Sequence, residues 1–399
     1  MSDKREQKES EIPSAERETN VGRNVPNLRF PGFSGEWASS SLGEKGNPYN
    51  GLSGKNATDF GKGSQYITYK SIFDNSRVDV RRNGLVTITD RERERGAQNQ
   101  VRKGDIFFTV SSETPDEVGM SSVLLDDVDD CYLNSFCFGY RLSDNDVSPE
   151  FLRFYLRSPK IRRRIAILAQ GSTRFNISKD EIMNMPIRLP LVKEQEKLAE
   201  FLNLIEERIA VQNEVIKKYE SLIKALAYET IGNYTPNTLL SECVRCSSST
   251  LKESDLAEEG AVPAYGAAGI SGFTDAALVK GDSILITKDG SGVGTLRYVY
   301  GPHSFVGTLN SMTPRDGFYL PYIYYALQNV CFESYRSGQA IPHIYFKDYG
   351  KETLYCPSFN DQKRLANGLE MIDSKVGIER ATLQYLQSVK AYLLSAMVI

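Results

Sequence analysis

The sequence predicts an α+β protein that uses one unit twice. Each copy is a globular mixed α/β domain followed by a long helix, and the two helices pair as an antiparallel coiled coil. Three observations predict this: two stretches of heptad-spaced apolar residues, a constant offset of 167 residues that carries one onto the other, and the same succession of short motifs ahead of each.

The first long helix places Leu198, Leu202, Ile205, Ile209, Gln212, Ile216, Tyr219, Ile223 and Leu226 at alternating spacings of four and three, the seam of a coiled coil. The offset turns these into Leu365, Leu369, Ile372, Val376, Glu379, Leu383, Leu386, Lys390 and Leu393. The polar interruption recurs at the same place, Gln212 and Glu379, and both stretches open on Gln-x-x-Leu-Ala, at Gln195 and Gln362. One such helix could arise by chance; two with shared register, interruption and opening point to a duplication. A helix of about 35 residues is ~50 Å long, and two of them bury their seams most simply against each other. If they run antiparallel, the two domains stand at opposite ends of a rod with approximate two-fold symmetry, which suits a duplex site of two separated half-sites. The second copy has Lys390 where the first has Ile223, leaving the packing of that last turn open.

Taken in chain order, residues 1–24 are charged and nearly without large apolar side chains, so they are expected to be a disordered tail. Leu28-Arg-Phe-Pro-Gly-Phe and the single Trp37 mark the start of structure. Ser41-Leu-Gly-Glu resembles Leu239-Leu-Ser-Glu. Lys103-Gly104-Asp105 and Lys280-Gly281-Asp282 each launch an apolar β-type run. Ser148-Pro-Glu-Phe-Leu-Arg-Phe-Tyr-Leu matches Tyr319-Leu-Pro-Tyr-Ile-Tyr-Tyr-Ala-Leu as Pro-initiated helices. Gly171-Ser-Thr-Arg-Phe-Asn-Ile parallels Gly338-Gln-Ala-Ile-Pro-His-Ile. The expected domains are 25–190 and 233–356, each followed by a helical region, 191–232 and 357–399.

Hydrophobic residues form 40% and charged residues 25% of the chain, ordinary globular usage. No apolar run approaches the ~18 residues of a membrane span and no secretory leader is visible, so a cytoplasmic, membrane-free location is expected. The six cysteines are expected to be reduced. Cys243-x-x-Cys246 lacks a second ligand pair, and no metal is invoked. A formal charge of −3 is awkward for unaided binding to phosphates, unless basic residues concentrate locally. Between Phe60 and Val110 ten basic residues face six acidic ones, a local +4.

Together, the Leu28–Phe33 motif with Trp37, the paired Lys-Gly-Asp turns, Pro263-Ala-Tyr-Gly-Ala-Ala-Gly-Ile-Ser-Gly-Phe273 and Pro190-Leu-Val-Lys-Glu-Gln-Glu-Lys-Leu-Ala resemble the specificity subunit of type I restriction-modification systems. The likeness runs from about Val25 to Ile399. It implies two target-recognition domains, each reading one half of a bipartite, asymmetric double-stranded DNA sequence, with helical regions setting the unread spacer. It also implies two modification (methyltransferase) subunits docked on the helices and restriction (translocase/endonuclease) subunits joining them. S-adenosylmethionine, ATP and Mg would then sit on those partners, with no cofactor in this chain.

The residues themselves agree with a non-catalytic chain. An Asn/Asp-Pro-Pro-aromatic loop is missing; Asn47-Pro48-Tyr49 lacks the second proline. Gly290-Ser-Gly-Val-Gly294 misses the dinucleotide spacing and reads as a tight hairpin. Pro115-Asp116-Glu117 reads as a surface turn, and no Walker lysine motif occurs. For sequence readout, side chains with two-pronged hydrogen bonding are needed, with others positioning the backbone. The candidates are Lys70, Arg77, Arg81, Arg82, Arg93, Arg95, Gln98, Asn99, Arg174 and Asn176 in the first domain, and Tyr265, Lys288, Arg297, His303, Arg336, Gln339 and His343 in the second. Arg157, Lys160, Arg162, Arg163 and Arg164 form a denser cluster at a helix end, read as phosphate contacts. The competing functions are a stand-alone methyltransferase or nuclease, and a coiled-coil adaptor without DNA binding.

Overall fold

The computed structural model describes residues 24–96, 99–143, 145–338 and 341–399; the expected tail lies almost wholly outside them. Both halves build the same sheets. In the first, a four-stranded sheet runs in the order Gly46–Asn50, Cys137–Leu142, Ile106–Thr109, Ser121–Val123. In the second the order is Val244–Ser248, Leu309–Pro314, Ser283–Thr287, Leu296–Val299. Each half adds a three-stranded sheet whose middle strand, Phe60–Ile67 or Val262–Gly266, pairs antiparallel on one side and parallel on the other. A short antiparallel pair then joins the start of each domain to its end, Ala38–Ser41 with Pro186–Leu189 and Thr238–Leu239 with Thr353–Leu354. Matching order and polarity on all three counts establish the duplication as structural.

The repeated motifs have local physical causes. Ser41 and Glu44 form a capping box, the hydroxyl accepting from Glu44 N at 3.3 Å and the carboxylate from Ser41 N at 3.0 Å. Glu242 likewise accepts from Leu239 N at 3.3 Å. In the first Lys-Gly-Asp turn, Gly104 takes φ +89°, where a side chain would be strained. The buried Asp105 then accepts from Tyr49 Oη at 2.6 Å and from Arg141 at 2.8 and 2.7 Å. In the second turn the exposed Asp282 accepts from Tyr298 Oη and Gly301 N. The Cys-x-x-Cys is not a pair in space: Cys243 Sγ lies 3.7 Å from Cys356, and Cys246 faces Tyr349.

The two long helices are Val192–Ala227 and Phe359–Met397, and among the described residues no helix is long and apolar enough to cross a membrane. Two compact units emerge, one ending at Ile209 and completed by Tyr385–Ile399, the other Ala210–Gln384, so each helix contributes to both. In the first unit Leu198 and Leu202 share a core with Leu393 and Met397, Ile205 packing at its margin, and with Trp37 and Phe151 of the domain. In the second, Ile216 and Ile223 join Leu369 and Val376, with Leu365, Ile372 and Leu383 alongside, and Tyr322 and Ile323 of that domain. Ile209 is half-buried. Gln212 Nε2 donates to the carboxylate of Glu379 and, at 3.1 Å, to its carbonyl oxygen. These two residues are related by the 167-residue offset and touch each other, as the polar position of an antiparallel seam should.

A second repeated device ties each helix to its own domain. Gln195 Nε2 donates to Asp146 O at 3.0 Å and Pro190 O at 2.8 Å, while its Oε1 accepts from Ser148 N at 2.8 Å. Gln362 does the same with Gly317 O, Pro357 O and Tyr319 N, and both glutamines are buried. The Leu28–Phe33 motif acts on the same helix start: Arg29 forms a two-pronged pair with buried Glu194, 2.7 Å on each arm, and Phe30 meets Phe201 edge-on. We expect Gln195→Leu to leave two carbonyls and an amide unpaired and to lower unfolding free energy by about 2–4 kcal/mol, measured by denaturant unfolding. An effect below about 1 kcal/mol would show that water replaces the clamp.

Candidate nucleic-acid interface

In the first domain the candidates form three groups. Lys70 is exposed on the helix Tyr69–Asp74, and Arg174 is exposed in the loop that follows Gly171. Between them stands Tyr69, stacked on Phe73 and donating to Ser111 O at 2.7 Å. Burial raises this phenol's pKa, and the Arg174 charge opposes the rise. Asn176, also exposed, donates to Arg174 O. The second group is Arg77, Arg81 and Arg82, whose guanidinium groups lean on Asp126 and Asp79. Three cations share two carboxylates, and Arg81 and Arg82 stay 86% and 77% exposed. The third is Arg93, paired with Asp130, near half-buried Asn99.

In the second domain Lys288 and His343 lie together, Ile344 N donating to Lys288 O at 2.9 Å while His343 bridges to Asp289 and Ser337. Tyr345 meets the His343 ring at 5.3 Å and carries Lys347 over its own face at 5.2 Å. Arg297 lies over Tyr265 at 5.9 Å, and Arg336 is exposed beside Glu333. Gln98, Gln339 and the Arg95 side chain lie outside the described residues.

The loops that open on Gly171 and Gly338 correspond through the same offset. Both glycines have positive φ, +139° and +86°. A Cβ would fall 2.0 Å from Arg174 O in one and 2.4 Å from Ile341 O in the other, so each loop requires glycine at its base. Each then returns beside the end of the central strand, Phe175–Asn176 pairing with Ser111–Ser112 and His343 with Asp289. The Gly290–Gly294 stretch is the turn between Ser283–Thr287 and Leu296–Val299, with Gly290 and Gly294 at φ +97° and +84°. Pro115–Glu117 is a single 3-10 turn. Among the described residues no group of three His, Cys, Asp or Glu side chains could hold a metal ion.

Residues 36–220 and 244–388 match the family described as the type I restriction modification DNA specificity domain. The chain belongs to that family. The S subunit of the type I restriction-modification system from M. genitalium is 20% identical with a TM-score of 0.57, over 94% of this chain and 99% of that one. A structure described as showing complex assembly and conformational transition of the type I R-M system is 18% identical with a TM-score of 0.52, over 91% and 97%. No functionally curated protein matches the chain. It is therefore a DNA-recognition specificity subunit with two copies of the recognition domain.

In this specificity subunit several expected contacts are corrected, because their side chains are engaged inside the protein. Arg162 donates to Gly119, Asp116 and Val118 carbonyls at 2.8, 2.8 and 2.5 Å, and burial pulls its pKa down to about 10. It caps the Pro115–Glu117 turn. Arg157 gives Nε and Nη2, but not Nη1, to the carbonyls of Ser121, Ile72, Phe73 and Asn75, and Arg164 bonds to Pro186 O, so much of the basic cluster braces backbone. His303 is wholly buried between Ser283 Oγ and Gly301 O, 2.8 Å from each. Tyr345, Lys347 and the 65%-exposed Ile341 went unselected; only the loop correspondence could have drawn attention to them.

Two outcomes follow. Arg162→Ala should destabilise the fold, whereas Arg174→Ala should leave the melting temperature within about 2 °C, as exposed substitutions do; a large loss for Arg174→Ala would make it structural. Burial holds the His303 pKa below its ordinary 6.5, so the unfolded chain binds the extra proton. Stability contributed by the neutral imidazole is present above pH 6.5 and declines as pH falls through that value toward the folded pKa. His303→Gln should flatten this limb in unfolding measured from pH 7.5 to 5, and an unchanged slope would exclude His303 as its source.

Proposed function

We propose that each recognition domain reads one part of a bipartite, asymmetric duplex target, and that the chain is non-catalytic and directs modification and restriction subunits to it. The observation that carries this is one loop scaffold used twice with different side chains: Arg174 stands where the second copy has Ile341, and Asn176 where it has His343. Corresponding scaffolds with unlike readers give two unlike half-sites. Lys70, Arg77, Arg81, Arg82, Arg93 and Arg174 supply phosphate and base contacts in one, and Tyr265, Lys288, Arg297, Arg336 and His343 in the other. Docking of partners is supported by apolar side chains left on the long helices at seven-residue spacing. In the first unit Tyr385 and Tyr392 are 69% and 64% exposed, and Leu204 58%; in the second Met371 and Ile378 are 76% and 60% exposed, and Val211 52%. Such a face suits amphipathic helices of the modification subunits. S-adenosylmethionine, ATP and Mg would be supplied by those partners, which would turn the target adenine out of the duplex.

The purified chain, incubated with DNA and labelled S-adenosylmethionine, should transfer no methyl group until modification subunits are added; transfer by the chain alone would sink this reading in favour of a stand-alone enzyme. With the partners present and methylated adenines mapped, Arg174→Ala should relax the half-site read by the first domain alone, by about 1–3 kcal/mol at one base pair if it reads a base. No duplex binding in any combination would leave a coiled-coil adaptor.

A further inference from the structure

The place where each domain's Pro-initiated helix meets the two long helices is a cavity in both halves, and the two copies differ in charge. The first, of about 330 Å³, is lined by Asp74, Arg77, Arg153, Arg157, Glu206 and Lys390. In the second, the corresponding residues are Tyr324, Gln328, Asp373 and Ile223, and Glu220, Lys224, Arg297 and Arg380 also line it. Glu206 and Asp373 are related by the 167-residue offset, as are Lys390 and Ile223; Arg153 with Tyr324 and Arg157 with Gln328 follow from aligning Ser148 with Tyr319, the two residues whose amides meet the glutamine clamps. The carboxylate is kept, and three neutral neighbours in one copy are cations in the other.

The cations exceed what the carboxylates neutralise. Arg153 bonds Ser76 Oγ, Asn203 Oδ1 and Glu206; Lys390 reaches Glu206 at 2.5 Å. Asp74 also lines the cavity and acts on Arg157, and Arg77 also touches Asp126. Four lining cations thus face two lining carboxylates, with Asp126 on Arg77 and Glu150 near Arg153 just outside the lining. Burial and neighbouring cations pull Arg153 and Arg157 to about 10 and lower Lys390, yet all remain charged at neutral pH. Arg157 Nη1 has no partner among the described residues, and Lys390 retains two unused N–H donors. Excess positive charge with spare donors in a partly desolvated cavity is unfavourable until an anion enters, and mixed guanidinium and ammonium donors suit a tetrahedral oxyanion.

We propose that this niche binds a phosphate group, carried by the DNA backbone or by a free phosphate ion. The DNA source rests on the recognition function above, because Arg77 belongs both to the niche and to the exposed arginine group. The full chain, titrated calorimetrically with inorganic phosphate in chloride buffer at constant ionic strength, should show saturable binding. Arg77→Gln should weaken it about tenfold and Arg77→Gln/Lys390→Ile should abolish it, as loss of charge-assisted bonds implies. Arg77 is half-exposed, and isoleucine already occupies the matching place in the second half, so both variants are expected to keep the wild-type circular dichroism melt. Glu206→Gln should act in the opposite direction and tighten binding. Absence of saturable binding, equal binding by the double variant, or equal affinity for acetate overturns the niche. A second arm measures a random-sequence duplex across a salt series. If a backbone phosphate occupies the niche, the double variant loses about one unit of salt slope and phosphate competes. If duplex binding is unchanged while phosphate still binds, the free ion is the ligand. The phosphate titration needs no target sequence, so niche and DNA recognition can fail separately.

Discussion

Burial of the two helical seams against each other is the constraint on which the rest depends. Neither helix could hold its apolar stripe in water alone, since long isolated helices draw their stability from packing of that face. Within each compact unit the stripe of one helix is completed by the other, and the same cores take in the domain's own residues, Trp37 and Phe151 in one, Tyr322 and Ile323 in the other. The buried glutamines make the attachment specific. A side-chain amide that satisfies two carbonyls and an amide from three chain positions fixes where a domain sits on its helix in a way that apolar contact cannot.

The polar seam position adds register. Gln212 and Glu379 meet because the helices run antiparallel and the offset pairs them; sliding either helix would separate the two within an apolar seam. Lys390 is the other polar intrusion, and it is accommodated differently. It reaches Glu206, already bonded to Arg153, so a residue that weakens the apolar seam becomes part of a charged niche. Asp373, at the equivalent place in the second half, shares its cavity with Ile223 at the place of Lys390, and burial raises its pKa against the pull of Arg380. The two halves therefore share a skeleton and differ in the electrostatics laid upon it.

Much of this was legible beforehand because duplication is itself an internal comparison. The corner glutamates Glu44 and Glu242, the Lys-Gly-Asp turns and the Gln-x-x-Leu-Ala openings recur where backbone groups need those side chains. Individual contacts were less legible. Arg162 and Arg174 are both arginines among the expected contacts, and nothing in their neighbours says that one faces three carbonyls and the other solvent. His303 is a candidate reader by sequence, yet its ring is buried between Ser283 Oγ and Gly301 O.

By itself the sequence determined the tandem architecture and the pairing of two long helices, since periodicity and repeat offset are properties of residue order, while its ordered motifs carried the resemblance to the family. Only the tertiary structure decided which cations remain free. Whether a guanidinium is spent on a carbonyl, paired with a carboxylate or left to solvent depends on segments far apart in the chain, as Arg157 shows with Ile72 and Ser121. That assignment is made by geometry, because a hydrogen bond is decided over about 3 Å, a distance that residue order does not encode.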